Sequence, residues 1–158
     1  MSKSSNGEKN TRSPKIKLGV LPDALGYMLR RAQVAVFNEF MTSFSEMDIR
    51  PYQFGILTVI AENPGLKQSQ ISEALDIKRT NLVAMLDTLE DRELIRRDSA
   101  PNDRRSHSLF LTDDGAKFYK KMLKVHQQME LRLTEIPRMN NRDELISMLK
   151  ALISHLTV

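Results

Sequence analysis

Between Pro64 and Thr112 the spacing of apolar residues changes character, and that change limits the fold more than any other feature of the sequence. Ile71, Ala74 and Leu75 mark one face of a short helix over about 68–75. Asp76-Ile77-Lys78 makes a tight connection. Leu82, Met85, Leu86 and Leu89 then keep the i, i+3, i+4, i+7 spacing of a second helix, about 79–92. Two short extended runs follow, 94–98 and 106–111, separated by the polar, basic stretch 99–105. They read as a hairpin with a long tip.

Helix, tight turn, helix and hairpin is the plan of a winged helix-turn-helix. The two helices bury Ile71, Leu75, Leu82 and Leu86 against each other. This leaves Lys78, Arg79, Thr80, Asn81 and Ala84 on the outer face, near the start of the second helix. Short polar and basic groups there suit a helix whose N-terminal end enters a major groove. Arg104 and Arg105, at the hairpin tip, suit the negative potential of a neighbouring minor groove. The acids Asp87, Glu90, Asp91 and Glu93 gather toward the far end of the helix. An ordinary amphipathic helix pair with solvated loop charges would explain the helices alone, and a winged module for protein–protein assembly without a DNA site stays open as the alternative.

The flanks are helical. A long helix over about 22–47 carries one stripe of Leu25, Met28, Leu29, Ala32, Val36 and Phe40, and an opposite one of Tyr27, Val34, Phe37 and Met41. A helix apolar on both sides must be covered on both sides, which points to a second subunit. Another helix, about 52–62, holds Phe54, Ile56, Leu57 and Ile60, and Asn63-Pro64-Gly65 ends it. Thr112-Asp113-Asp114 caps a helix over 113–136, because a hydroxyl and two carboxylates complement its unpaired amides. Pro137 stops it, and a last helix over 141–156 presents Leu145, Met148, Leu149, Leu152 and Ile153.

The 158 residues are one domain's worth, and 41% hydrophobic with 28% charged residues excludes wholesale disorder. The formal charge of +4 sits entirely in residues 1–17, a Ser-, Asn- and Lys-rich stretch read as a disordered basic arm before a single domain over 18–158. The basic balance is therefore no argument for a nucleic-acid partner; segregation of charge on one face is. There are no cysteines, so thiol nucleophiles and thiolate metal sites are excluded. The three histidines, His107, His126 and His155, lie on different elements without ligand spacing. Asp103, Ser106 and His107 on an exposed hairpin lack the fixed relay and oxyanion hole of a catalytic triad. The nine methionines fill core and interface. No cofactor, metal or enzymatic activity is expected. With no apolar run long enough for a membrane span and no signal-like start, a cytoplasmic protein without a membrane partner is expected.

Three stretches resemble the MarR family of transcription regulators. Gln68-Ser69-Gln70-Ile71-Ser72-Glu73-Ala74-Leu75 is similar to the first helix of its helix-turn-helix, and Lys78-Arg79-Thr80-Asn81-Leu82-Val83 to the start of its recognition helix. Asp103-Arg104-Arg105 with Leu109-Phe110-Leu111-Thr112-Asp113-Asp114-Gly115 is similar to its wing and wing exit. The resemblance covers about 20–156. It implies a mainly α fold with a small β wing over about 52–112, and a homodimer joined through helices 22–47, 113–136 and 141–156. Its two recognition helices would stand about 34 Å apart on the halves of an inverted repeat in double-stranded DNA.

The family usually has Gly where this chain has Asp76 and Glu93. A left-handed Glu costs about 1 kcal/mol, so the end of the recognition helix is expected to be built differently here. The segment 25–33 resembles the first helix of members that respond to aromatic carboxylates or their coenzyme A thioesters. Tyr27 and Arg31 share a face there, with Arg30 beside them and Phe37 and Met41 continuing an apolar surface. Such a wall suits a ring, and a guanidinium suits a carboxylate. Tyr52 and Phe54 are expected to supply another side of the pocket. Ordinary ion pairs for Arg30 and Arg31 at the dimer interface remain the alternative.

Overall fold

The structure, a computed structural model, describes residues 16–100, 103–136 and 141–156, with the backbone alone at 99–100 and 103–106. The chain divides into two compact units, residues 1–35 and 36–158. Most of the expected basic arm lies outside the described residues, as does Pro137.

In the first unit, Leu21–Asp23 form a 3-10 turn with Pro22 in its first turn, where a missing N–H costs nothing. Ala24 is extended, and α1 (Leu25–Ser43) begins after it and continues into the second unit. The single helix expected over 22–47 is therefore divided, since a second 3-10 turn, Ser45–Met47, follows α1 and leads into the left-handed Asp48 (φ 47°). The cause is burial: ending α1 at Ser43 lets Phe44 and Ile49 both enter the core at 1% exposure.

The second unit is built around α2 (Pro51–Glu62), which opens with Pro51 and with the Arg50 amide donating to Gln53 Oε1 at 3.0 Å. It buries Ile56, Leu57 and Ile60. Then come β1 (Leu66–Lys67), α3 (Gln68–Ala74), α4 (Arg79–Asp91), β2 (Ile95–Ala100), β3 (Asp103–Leu111), α5 (Asp113–Thr134) and α6 (Arg142–Leu156). The core joins Phe40, Phe44 and Ile49 to Ile71 of α3, Leu82, Leu86 and Leu89 of α4, Leu109 of β3, and Met122 and Met129 of α5. Each such side chain contributes about 1.5–3 kcal/mol by leaving water. Leu75 and Met85 pack on this core half-buried, as the periodicity requires, whereas Ala74 is exposed.

The sheet is antiparallel in the order β1-β3-β2. The two-residue β1 is absent from the sequence reading; it pairs Leu66 with Leu109 and Lys67 with Ser108. The hairpin also differs from expectation. Its strands reach Ala100 and start again at Asp103, so Arg104 and Arg105 lie in β3 rather than in a long loop. The register jumps from Ser99↔His107 to Ala100↔Asp103, which makes 104–106 a bulge, and a bulge bends and twists the wing locally.

Gly115 is fixed by contact. A Cβ there would stand 1.8 Å from the Leu94 carbonyl oxygen, so α5 can leave the wing so closely only through glycine. At the other end of α5, Arg132 donates to Glu39 Oε1 (3.0 Å) and to Ser43 Oγ (2.7 Å) on α1. The Arg132 hydrogen bond, helped by Ser43, holds the Glu39 carboxyl below its ordinary range.

Candidate nucleic-acid interface and effector cavity

The connection between α3 and α4 is closed by its own backbone and one hydroxyl. Asp76 is left-handed (φ 49°), the Ile77 amide donates to the Ser72 carbonyl, and the Ser72 hydroxyl returns a 2.6 Å bond to the Ile77 carbonyl. Ile77 is thereby buried, and Lys78 starts α4 from an extended conformation. With Leu82, Leu86 and Leu89 facing inward, Lys78, Arg79, Thr80, Asn81 and Ala84 are all exposed. No acidic residue stands in the first turn of α4, so the positive end of its dipole adds to the Lys78 and Arg79 charges.

Acids in the second half of the helix are engaged elsewhere. Arg97 of β2 reaches Glu90 Oε2 at 2.5 Å and Asp87 Oδ1 at 2.6 Å, with its own side chain only 19% exposed. These two pairs fasten the base of the wing to α4 and neutralise carboxylates that would otherwise repel a phosphate backbone. Arg96, beside it, pairs with Asp98 and covers the Phe110 ring at 4.7 Å. The side chains of Arg104 and Arg105 lie outside the described residues.

The end of α4 overturns one expectation. Glu93 is left-handed (φ 55°), as Asp76 is, so the helix terminates in the glycine-type geometry despite its side chain. The Leu94 amide donates to the Leu89 carbonyl at 3.0 Å, and the Thr112 hydroxyl donates to the Glu93 carbonyl at 2.6 Å. Those bonds and the burial of Leu94 outweigh the backbone cost.

Two hollows flank the exposed face of α4. A groove of about 300 Å³ is lined by Lys67, Gln68, Ser69, Arg79, Leu82, Val83 and His107. Three elements thus bring two permanent cations and an imidazole to one place, with no carboxylate among the described residues of the lining. Lys67 and His107 were missed from the sequence because only the pairing of β1 with β3 places them together.

The second hollow, about 570 Å³, is lined by Phe37, Arg50, Pro51, Tyr52, Gln53, Asn81, Ala84, Met85 and Thr88. It brings two of the expected ligand residues, Phe37 and Tyr52, against two of the expected DNA-reading residues, Asn81 and Ala84, and adds the guanidinium of Arg50. Phe54 does not line it. Its ring meets Phe40 and Phe44 edge-on, at 5.8 and 5.7 Å, and stacks on His126 at 4.8 Å. That packing corrects its expected place in a pocket wall: it is a core aromatic. In the first unit Arg31 donates to the Tyr27 hydroxyl at 3.2 Å and lies over its ring at 5.9 Å, so the two do share a face; Arg30 is exposed.

Among the described residues no group of three or more His, Asp or Glu could hold a metal ion, and no helix is long and apolar enough to cross a membrane.

Known proteins extend this picture. The sequence pattern of the MarR family matches residues 49–107. A Thauera aromatica protein, named as a transcriptional regulatory protein for the hcr operon, is 35% identical over 139 residues, which is 85% of this chain and 81% of that one. The transcriptional repressor CouR, solved bound to a 23-mer DNA duplex, aligns with a TM-score of 0.83 at 42% identity, over 89% of this chain and 99% of CouR. CouR bound to p-coumaroyl-CoA gives 0.80 at 40% identity, over 88% and 98%. Identity of this order, sustained over the helices on either side of the wing as well as the wing itself, is kinship rather than a shared fold alone: the chain belongs to the MarR family.

Proposed function

We propose that this protein is a homodimeric DNA-binding transcription repressor, released from an inverted-repeat operator by an aryl-CoA thioester or a small aromatic acid. The observation that carries this reading is the leading face of α4, where five residues are exposed and the first turn at the positive helix end holds no acid. Thr80 and Asn81 reach base edges, Ala84 offers a methyl contact to thymine, and Lys78 and Arg79 hold phosphates. The backbone of β3 carries Arg104 and Arg105 toward the wing tip, for a minor groove.

A second copy of the chain covers the apolar surface of α5 and α6. No described residue of α6 is buried, and Leu131, Leu145, Met148 and Leu149 are exposed. An isologous contact between such faces gives the two-fold symmetry that an inverted repeat demands. For the effector, Phe37 and Tyr52 offer a ring-sized apolar wall and Arg50 a cation, in a cavity bounded by α4 itself. In the first unit, taken by itself, Tyr27, Arg30 and Arg31 of α1 offer an aromatic face and exposed cations suited to a carboxylate or to coenzyme A phosphates. The CouR complexes with duplex and with p-coumaroyl-CoA support both halves of the reading. On this reading residues 18–158 act as one regulatory domain after a basic arm, the protein catalyses nothing, and it works in the cytoplasm.

Selection of duplexes from a random pool tests the proposal. A repressor enriches an inverted repeat, and its affinity falls steeply as salt rises, because phosphate contacts release counterions. p-Coumaroyl-CoA or p-coumarate then dissociates the complex. Failure to enrich any sequence defeats the DNA reading in favour of an assembly module; enrichment without release defeats the aromatic effector.

A further inference from the structure

The 570 Å³ cavity has two walls, and one side chain outside its lining connects them. One wall is the entry to α2 (Arg50, Tyr52 and Gln53); the other is the outer flank of α4 (Asn81, Ala84 and Thr88). Arg92, the residue after α4, donates from Nη1 to the Asp48 carbonyl at 2.7 Å and from Nη2 to the Met47 carbonyl at 3.0 Å. Asp48 stands two residues before Arg50, and the Arg92 amide donates to the carbonyl of Thr88 in the last turn of α4. Each end of the tether is thus anchored within a turn of a cavity wall. The Arg92 guanidinium also faces the Phe118 ring of α5 at 5.5 Å, which holds the fork in plane.

We infer that Arg92 is a positioning residue that fixes the separation of the two cavity walls and so sets how α4 is presented. The inference rests on the proposed repressor function. A forked, planar donor on two successive carbonyls resists both translation and rotation, which a single point charge would not. The Asp48 carbonyl belongs to a left-handed residue, so its direction is set by the turn rather than by a helix. A ligand that wedges the walls apart must bend these two bonds or carry α4 with it. Occupancy is thereby converted into a displacement of the exposed face, the differential interaction that any ligand-driven switch requires.

The test compares full-length wild type, Arg92→Met and Arg92→Lys by amide hydrogen exchange and by binding to the duplex that the wild type selects. In Arg92→Met, amides of 48–53 and 88–92 exchange about fivefold faster or more, while those of 122–134 in α5 keep wild-type rates. Duplex affinity falls about tenfold, and the ratio of affinities without and with p-coumaroyl-CoA narrows. Arg92→Lys, which keeps the charge but not the fork, restores part of each loss. Unchanged exchange in 48–53 and 88–92 overturns the tether, whatever the protein does with DNA. Faster exchange with duplex affinity within about twofold of wild type overturns the positioning role. A wild type that selects no duplex overturns the repressor reading and the positioning role with it, and the exchange result then separates a tether that exists from one that does not.

Discussion

Glu93→Gly should stabilise this protein, although it deletes a side chain and loosens the unfolded chain. Glu93 holds φ at 55°, a conformation that costs an L-residue about 1–2 kcal/mol and glycine almost nothing. Against that gain, glycine raises the entropy of the unfolded state by about 0.4–1 kcal/mol. The carboxylate also stands at the negative end of the α4 dipole, and its removal adds about 0.3 kcal/mol. The Glu93 carbonyl keeps its bond from the Thr112 hydroxyl, since that is a main-chain group. The net expectation is a gain of about 0.3–1.9 kcal/mol, or a rise of about 1–8 °C in melting temperature for a domain of this size. Equilibrium urea unfolding at fixed protein concentration measures it, because a dimer's stability depends on concentration. Glu93→Gln isolates the charge and should recover only the dipole part. A Glu93→Gly protein no more stable than Glu93→Gln would refute the argument that the left-handed backbone carries the cost.

Gly115→Ala should lose about 3 kcal/mol or more in the same assay, since the new Cβ meets the Leu94 carbonyl at 1.8 Å and main chain must move to admit it. Lys67→Gln should weaken binding to all duplexes alike and lower the salt slope by about one, whereas Asn81→Ala should change base preference; Arg105→Ala should cost about 1–3 kcal/mol in operator affinity with the fold intact. Because Arg132 depresses the Glu39 carboxyl below its ordinary 4.5, this pair stabilises the fold above that pH and its contribution fades as pH falls through the lower folded value; in acid unfolding series Glu39→Gln should be less stable than wild type near neutrality and converge with it at low pH.

Residues with a strong local period were readable, and residues defined by distant partners were not. Leu82, Leu86 and Leu89 mark α4 because a 3.6-residue repeat needs only neighbouring positions, and the burial of all three follows from it. Nothing in Leu66-Lys67 announces a strand; β1 exists because Leu109 and Ser108 of β3 lie alongside it. That pairing also carries Lys67 to His107, so the basic groove was invisible for the same reason. Polar composition at 99–105 suggested a loop, yet main-chain pairing ignores side-chain polarity and extends both strands. Nearness to Tyr52 in the sequence suggests a pocket place for Phe54, but helical positions two apart point about 160° away from each other, and its ring goes to the core. Glu93 failed in the opposite sense: local propensity argued against its conformation, and Thr112, distant in sequence, supplied the bond that sustains it.

Thr112 has a mechanical meaning beyond capping. Its single hydroxyl donates to the Glu93 carbonyl and accepts from the Gly115 amide at 2.9 Å, so one oxygen joins the end of α4, the exit of the wing and the root of α5. The 22 residues of α5 form a lever about 33 Å long. A tilt of about 10° at its root would swing the far end by about 6 Å, close to two base-pair steps of duplex. In a dimer coupled through α5 and α6, the gearing between the two reading heads is therefore set at this corner. Thr112→Val, which removes the hinge pin yet keeps the shape, should relax the spacing of half-sites that the protein accepts rather than the sequence it reads in each.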